Sequence, residues 1–300
     1  MSVAVSLLVP CFNAARYLPR FFENVSRQTR PFAQVICYDD GSTDETVAVA
    51  HSLGLRMITP NENRGAAHAR NRLAAEASCP WIHFHDVDDE ISPRFIEAMA
   101  SRLNGDVDVA ICQADWVWED SRAVMMKWRY AAGDFARDPI AAAFAHPISV
   151  NSAVFRREPF LSAGGFDEGL RMWEDAELHL RLARQGARYA VCEEVLSVAL
   201  RHDDSFSHDY RENANWRLRV LEKHEAPLRA SHAVLLAAEA EETARELLRH
   251  GDPAAARRAV ALALRAGGSP PTTRNRILRL LKPWLPRLWL LRLQLRGRRA

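Results

Sequence analysis

The chain has 300 residues, of which 48% are hydrophobic and 26% are charged, as is usual for a soluble globular protein. Its formal net charge of +2 provides no global field that would attract a nucleic acid, so we expect no nucleic-acid partner. No acidic residue follows Asp252, however, which leaves a basic C-terminal segment on an otherwise balanced protein.

Strands alternate with helices in the first 112 residues. The predicted strands are Ser2–Val9 (ended by Pro10), Phe32–Tyr38, Leu55–Ile58, Trp81–His85 and Val107–Cys112, and the predicted helices are Ala15–Gln28, Asp44–Leu53, Gly65–Ala77 and Pro93–Leu103. This order predicts an α/β fold with a largely parallel sheet between helices. Ligands bind beyond the carboxyl ends of such strands, and acidic clusters lie at these ends in the sequence.

After residue 112, strands and helices are predicted up to Tyr210, and only helices beyond it. Residues 113–150 are rich in aromatic side chains typical of a half-exposed platform or hairpin. A strand at Asn151–Phe155, a turn at Gly164–Asp167, a helix at Glu174–Gln185 and a strand at Tyr189–Val198 follow. Beyond Tyr210 we expect only helices, including an αα-hairpin. The sequence therefore divides into an α/β domain, 1–210, and a helical extension, 211–300.

The cysteines and the N-terminus bear on the compartment. Five scattered cysteines without a CxxC pair argue against a disulfide framework or a zinc site and favour a reducing environment. Residues 1–10 are apolar, but they lack a basic flank and are too short for a signal peptide or a spanning helix. We therefore expect a cytoplasmic protein.

Three carboxylates, Asp86, Asp88 and Asp89, directly follow the predicted strand Trp81–His85. Like charges this close repel each other and are costly to desolvate, and a divalent cation removes that cost. Mg²⁺ or Mn²⁺ prefers carboxylate oxygens and completes its shell with substrate phosphates and water. A solvated loop whose last acid caps the next helix is an equally good interpretation of the spacing.

Two other clusters have similar alternatives. Asp39 and Asp40 precede a Gly-Ser-Thr turn, where a carboxylate could accept a hydrogen bond from a base or a ribose; a plain strand-to-helix turn also fits. Arg64 and Arg70 could offer charge to a phosphate or planar donors to a base, or lie exposed on a helix.

Late in the chain, Glu174 and Asp175 begin a predicted helix, whose dipole favours carboxylates, so capping explains one of them. A carboxylate that faces the cleft could instead deprotonate an incoming hydroxyl. His202, in a polar run further on, is a candidate ligand for a metal or a phosphate, or part of a solvated loop.

Together these stretches resemble glycosyltransferase family 2, whose members have the two-lobed, Rossmann-like GT-A fold. The resemblance covers roughly residues 3–210. Six motifs occur in the family's order: Val9–Asn13, Asp39–Thr46, Asn63–Gly65 with Ala69–Asn71, Asp86–Asp89, Gly164–Glu168 and Trp173–Asp175. Each is weak alone, but their order makes the signal strong. His85 departs from the pattern, which usually has an aliphatic residue there.

The resemblance implies an inverting transfer from a nucleotide-diphosphate-sugar, with a UDP-sugar favoured by family habit, and a Mn²⁺ or Mg²⁺ cofactor. Asp175 matches the catalytic base. The implied metal ligands are Asp88, Asp89 and, by the loosest match, His202. The implied substrate-binding residues are Pro10, Phe12, Asn13, Asp39, Asp40, Arg64, Arg70, Asp86 and Glu174. The acceptor is a saccharide, a lipid-linked molecule or a protein, as in cell-surface polysaccharide or glycoconjugate synthesis.

Other functions fit less well. A dehydrogenase is excluded because no GxGxxG follows the first strand. A catalytically silent, nucleotide-binding scaffold is the main alternative, and a hydrolase with paired carboxylates has less support.

The basic tail, residues 274–300, combines Leu, Trp and Arg without acids. It fits an interfacial helix at the inner face of the cell membrane or a terminal helix packed on the αα-hairpin, with RNA binding ranked lower.

Overall fold

The computed structural model describes residues 3–60, 62–145, 147–201 and 209–267. These residues form two compact units, which divide between residues 201 and 209. The first unit is an α/β domain and the second is helical. His202 and the tail 274–300 lie outside the described residues. The expected domain boundary after residue 210 stays a prediction.

The strands of the first unit form a single mixed sheet. They are β1 (Val5–Cys11), β2 (Gln34–Asp39), β3 (Met57–Ile58), β4 (Trp81–Phe84), β5 (Glu90–Ile91), β6 (Val109–Trp118), β7 (Val124–Trp128), β8 (Ala153–Arg156) and β9 (Tyr189–Arg201). Their order is β3-β2-β1-β4-β8-β6-β9-β5, and β7 forms a hairpin with β6. The hairpin confirms one interpretation of the aromatic segment 113–150.

Helices cover both faces of this sheet. They are α1 (Leu18–Ser26), α2 (Thr46–Ser52), α3 (Ala66–Glu76), α4 (Phe95–Ala100), α5 (Ala132–Arg137), α6 (Pro139–Ala145), α7 (Arg157–Ser162) and α8 (Glu174–Arg184). Alternate residues of a strand point to opposite faces, so Leu8 packs in one core with α3, α6, α7 and α8. Leu7 and Val9 pack in the other core with α1, α2 and α4. The two-sided burial explains the continuous apolar run of β1.

The first strand continues through Pro10 to Cys11, so the prediction that it ends at Pro10 is wrong. The carbonyl oxygen of Leu8 accepts the N–H of His85, on the β4 side of β1. The backbone of Pro10 faces the same side, because residues two apart in a strand are equivalent. The ladder between β1 and β4 ends at Leu8 and Phe84, so the missing N–H of Pro10 breaks no strand pair there.

The parallel arrangement is confirmed for β1 to β4, whose pairs β1–β2, β1–β4 and β2–β3 are all parallel. Later strands depart from it. β8 is antiparallel to both of its neighbours, β4 and β6. It therefore begins at the edge of the sheet where β4 ends.

The second unit contains α9 (Tyr210–Lys223), α10 (Glu225–Ser231), α11 (Ala233–Arg249) and α12 (Pro253–Arg265). The αα-hairpin predicted from the sequence is formed by α11 and α12, which pack against each other. Asp252 caps α12, because its Oδ1 accepts the N–H of Ala255 at 3.0 Å. Among the described residues, no helix is both long enough and apolar enough to cross a membrane.

Candidate active site

The residues that follow β1, β2 and β4 meet at one edge of the sheet. Cys11 pairs with Asp39 across β1 and β2, and the N–H of Asp40 donates to the carbonyl of Cys11 at 2.8 Å. On the other side of β1, the ladder with β4 reaches Phe84, two residues before Asp86. Phe12, which comes next after β1, has 51% of its surface exposed. This edge thus combines acids with an open aromatic face.

Asn13 joins the loop after β1 to the loop after β2. Its backbone N–H donates to Ser42 Oγ at 2.9 Å, and its side-chain Oδ1 accepts the N–H of Thr43 at 2.8 Å. Its φ of 49° lies in the left-handed region, which Asn adopts more readily than most residues. Asn13 therefore fixes the shape of this edge through its contacts with the protein.

The two acids after β2 differ in their contacts. Asp40 accepts the backbone N–H groups of Arg64 at 2.8 Å and Gly65 at 2.7 Å, one on each carboxylate oxygen, and so holds the start of α3. Asp39 accepts the N–H of Ser42 at 3.2 Å through Oδ2. Its buried Oδ1 has no hydrogen-bond partner among the described residues. Within the described residues, Asp39 thus keeps one carboxylate oxygen without a hydrogen bond, whereas both oxygens of Asp40 accept one.

Arg70 is buried on α3 and binds two carboxylates. Its Nη2 lies 2.6 Å from Asp86 Oδ1, and its Nη1 lies 2.8 Å from Glu174 Oε1. Burial alone would lower the pKa of Arg70, but the charges of Asp86 and Glu174 outweigh it and raise the pKa. The guanidinium links the acidic turn after β4 to the start of α8. Arg64, in contrast, keeps its side chain largely exposed, 3.7 Å from Glu168.

In the acidic turn after β4, Asp89 differs from the other two acids. It is buried, its Oδ1 accepts the N–H of Leu200 at 2.8 Å, and its Oδ2 accepts the side chain of Asn151. Burial, and then the charges of Asp88 and Asp86, raise its pKa well above the ordinary value. Asp86 and Asp88 are partly exposed. Asp89 therefore anchors the turn, and Asp86 and Asp88 are the acids that a ligand can reach.

His85 packs beneath this turn. It is fully buried, and its ring lies 6.3 Å from that of Phe21. Burial lowers its pKa to about 4, although the neighbouring Asp86 opposes the shift. The imidazole is thus neutral at ordinary pH and belongs to the core.

The start of α8 brings Asp175 close to the same acids. Trp173, the N-cap residue of α8, has a φ of 67°, a strained value for an aromatic residue. Asp175 accepts the N–H of Ala176 at 2.7 Å. Burial, with the charges of Glu174 and Asp86, raises the pKa of Asp175 to about 7, against the opposing effects of Ala176 and Arg70. A carboxylate with this pKa can exchange a proton near neutral pH.

The glycine-rich turn before α8 is docked on α3 through Asn71. Phe166 donates its N–H to Asn71 Oδ1 at 2.8 Å, and Asn71 Nδ2 donates to the Phe166 carbonyl at 2.9 Å. Gly165 has a φ of +66°, and a Cβ there would lie 2.3 Å from Asn71 Oδ1. Only glycine fits both constraints. This docking places the start of α8, and thus Asp175, relative to α3.

Asn151, which was not predicted as a site residue, lies in the 3₁₀ turn Val150–Ser152 before β8. Its Oδ1 accepts the backbone N–H of Asp86 at 2.8 Å, and its Nδ2 donates to Asp89. The strand predicted at Asn151–Phe155 instead spans Ala153–Arg156, and its antiparallel direction was not predicted. With that direction known, the start of β8 would have been expected beside the end of β4.

The implied metal can be tested against the acids of this edge. Within the described ranges, no group of three or more His, Cys, Asp or Glu side chains could hold a metal ion. Mg²⁺ often uses only one or two carboxylates, with substrate phosphates and water filling its shell. Asp86 and Asp88 offer such a pair, and their charges already raise the pKa of Asp89. The donor set fits a cation that binds together with a phosphorylated substrate.

The comparisons with known proteins give the family. The model of glycosyl transferase family 2 matches residues 6–162, more than half of the chain. The chain belongs to this family. It is 33% identical over 123 residues to the glycosyltransferase YibD of Escherichia coli, and the aligned residues make up 39% of this chain and 36% of YibD. It is 28% identical over 204 residues to the succinoglycan biosynthesis protein ExoO of Rhizobium meliloti, covering 62% of this chain and 58% of ExoO.

Solved structures of glycosyltransferases confirm the GT-A fold. The mannosyltransferase PcManGT of Pyrobaculum calidifontis, in complex with GDP-Man and Mn²⁺, has a TM-score of 0.63 at 18% identity, over 98% of this chain and 87% of that chain. Residues 1–349 of S. aureus TarS, in complex with UDP-GlcNAc, have a TM-score of 0.61 at 15% identity, over 91% and 95% of the two chains. At these identities the likeness concerns the fold.

Proposed function

We propose that this family 2 member is an inverting glycosyltransferase that moves a sugar from a nucleotide-diphosphate-sugar to an acceptor hydroxyl. The observation that carries the proposal is the position of Asp175. Its pKa is raised to about 7, and Arg70 ties the neighbouring Glu174 to the strand-end acid Asp86. A proton acceptor thus stands beside a site suited to a diphosphate, as a single-displacement transfer requires.

The donor nucleotide is assigned to the edge formed by β1, β2 and β4. Phe12 offers an exposed face for stacking on a base, and Asp39 Oδ1 offers an acceptor for a base N–H or a ribose hydroxyl. Pro10 and Asn13 shape the loop, and Asp40 and Arg64 hold the start of α3 beside it. We favour UDP, since the similar TarS structures contain UDP or UDP-GlcNAc. GDP is the alternative, because PcManGT binds GDP-Man.

Asp88, with Asp86 beside it, would hold Mn²⁺ or Mg²⁺ together with the diphosphate. The bound cation would offset negative charge on the leaving nucleoside diphosphate. Support comes from the partly exposed pair of acids and from the Mn²⁺ complex of PcManGT. Asp89 serves as the buried anchor of the turn. His202, the third candidate ligand, lies outside the described residues.

Asp175 takes the proton of the acceptor hydroxyl while the oxygen of that hydroxyl attacks the anomeric carbon of the donor sugar. The new carbon–oxygen bond forms while the bond from that carbon to the diphosphate oxygen breaks, and the electron pair leaves with the nucleotide. One displacement inverts the anomeric centre, so the enzyme needs no nucleophile of its own. Arg70 steadies this geometry by holding Glu174 beside the base and Asp86 beside the donor.

Hydrolysis of the donor tests this proposal without knowledge of the acceptor, because water replaces the acceptor hydroxyl. The full chain with Mn²⁺ should release nucleoside diphosphate from one member of a panel of UDP-, GDP- and dTDP-sugars. A folded protein that binds a donor but neither hydrolyses it nor transfers its sugar to any saccharide, lipid-linked or protein acceptor would favour the silent scaffold instead.

We also propose that the tail 274–300 associates with the inner membrane surface, where a lipid-linked acceptor for polysaccharide or glycoconjugate synthesis would be present. The support is its composition of Leu, Trp and Arg without acids. Removing it should reduce sedimentation with vesicles of anionic lipid and leave donor hydrolysis unchanged. Equal sedimentation of the full and shortened chains would refute the membrane role.

A further inference from the structure

The direction of β8 brings a distant residue to the acidic turn. Its antiparallel ladder with β4 pairs His83 with Val154. Three residues further along β4 and three residues back along β8, the same register brings Asp86 opposite Asn151. The side chain of Asn151 thus reaches the turn across 65 positions of sequence.

Asn151 holds this turn at both ends. Its Oδ1 accepts the backbone N–H of Asp86 at 2.8 Å, while its Nδ2 donates to Asp89 Oδ2 and lies 3.4 Å from Asp86 Oδ2. Only 2% of Asn151 is exposed, so water does not compete for these bonds. Asp88 lies between the two residues that Asn151 holds. The amide therefore constrains the backbone that carries Asp88.

The chemistry of the side chain explains why a carboxamide suits this position. It supplies one acceptor for the N–H of Asp86 and a donor for the carboxylate of Asp89. An aspartate of the same size would keep the acceptor but place another negative charge against Asp89. An alanine would leave the buried N–H of Asp86 and an oxygen of Asp89 without this partner.

We propose that Asn151 is a positioning residue that sets the direction of the Asp88 carboxylate and thereby the affinity of the enzyme for the divalent cation. This inference rests on the proposed metal–nucleotide site. Asn151 touches neither the metal nor the donor. It acts through the turn Asp86–Asp89, which Arg20 also holds by donating to the carbonyl oxygen of Asp88 at 2.6 Å.

Removing Asn151 should therefore change the response to metal more than the maximal rate. In Asn151→Ala and Asn151→Asp, the Mn²⁺ concentration that half-saturates UDP binding should rise tenfold or more. Donor hydrolysis at saturating Mn²⁺ should recover most of its rate. A loss of folded protein alone would lower the binding stoichiometry and leave the half-saturating concentration unchanged.

The experiment is a calorimetric titration of UDP into the full chain at a series of Mn²⁺ concentrations, with thermal melting of each variant. Ser152→Ala is the matched control, because Ser152 is buried in the same 3₁₀ turn and forms no hydrogen bond with either acid. It should keep the wild-type response to Mn²⁺. If Asn151→Ala does not fold, the isosteric Asn151→Asp decides the question.

Two outcomes would overturn the inference, and they are distinguishable. A folded Asn151 variant with the wild-type dependence on Mn²⁺ would refute the role of Asn151 and leave the proposed function intact. A wild-type protein that binds UDP, GDP and dTDP equally well with and without Mn²⁺, or none of them, would refute the metal–nucleotide site on which the inference rests.

Discussion

The parallel strands β1, β2 and β4 and the antiparallel strand β8 contribute to the same edge of the sheet in opposite ways. A parallel strand places the residues at and beyond its carboxyl end at this edge: Phe12 follows β1, Asp39 ends β2, and Asp86 lies two residues after β4. The antiparallel strand β8 places at this edge a residue that precedes it, Asn151. The first group supplies the exposed ring of Phe12 and two acids, and the second group supplies the buried side chain that holds the turn of Asp86. A mixed sheet thus divides the site between contacting residues and supporting residues.

The strongest way to break this comparison is to remove the proton acceptor. Asp175→Asn should lower sugar transfer by about 10²- to 10⁴-fold, the usual contribution of a general base, while UDP binding stays intact. Donor hydrolysis and calorimetry measure the two effects. Glu158→Gln is the control, because this acid lies at the start of another helix, α7, and is exposed. Loss of nucleotide binding in Asp175→Asn would place Asp175 in the donor site instead.

The reaction rate and the stability of the protein should both depend on pH through the carboxylate of Asp175. Because the pKa of Asp175 is about 7, the rate should fall about tenfold for each pH unit below that value and level off above it. The fold also raises this pKa above its ordinary value of 3.8, so the stability linked to it is fully present below about pH 4 and is lost as the pH rises through 7. Asp175→Asn should therefore melt above the wild type at pH 8, with a smaller gain at pH 5. An equal gain at both values would contradict the raised pKa.

A substitution of Arg70 tests whether the acidic turn after β4 is electrostatically linked to Asp175 at the start of α8. Arg70→Met leaves Asp86 and Glu174 without their buried partner and should cost about 3–5 kcal/mol of stability. Arg70 also lowers the pKa of Asp175, so the acidic limb of the pH–rate profile should move to higher pH. Denaturant unfolding and a pH–rate series measure these changes. An unchanged limb in a folded variant would show that Arg70 does not act on the base.

Asp88 and Asp89 allow metal binding to be distinguished from support of the turn. Asp88→Asn should weaken Mn²⁺-dependent UDP binding by at least about tenfold, roughly 1.4 kcal/mol, with a small change in melting temperature. Asp89→Asn should mainly lower the melting temperature, since an amide replaces an oxygen that accepts the N–H of Leu200 or the side chain of Asn151. The reverse pattern would make Asp89 the metal ligand.

Phe12 tests the proposed base-binding face of the site. Phe12→Ala should weaken UDP binding by about 1–3 kcal/mol, the range measured for base–aromatic stacking, and leave the dependence on Mn²⁺ unchanged. The protein should keep its melting temperature, because about half of the side chain is already exposed, at 51%. Unchanged affinity for UDP would remove Phe12 from the base site.

The parallel half of the fold could be predicted because its signals are local. Most residues of β1, β2 and β4 are buried, and polar residues lie at or just beyond the end of each of these strands. The order of six motifs then indicated the family. The direct partners of the acids could not be predicted, because they depend on strand direction and register. The substrate contacts of Asp40 and Arg70 stay predictions, and their contacts with the start of α3 and with two carboxylates could not be read from the sequence.

The most direct test of the account is the binding of UDP to the wild-type chain and to Asp88→Asn, by calorimetry, with Mn²⁺ and with a chelator. We predict that the wild type binds UDP with Mn²⁺, that the chelator abolishes this binding, and that Asp88→Asn binds weakly under both conditions. Equal binding by the two folded proteins, with or without Mn²⁺, would contradict a metal–nucleotide site at the edge of β1, β2 and β4.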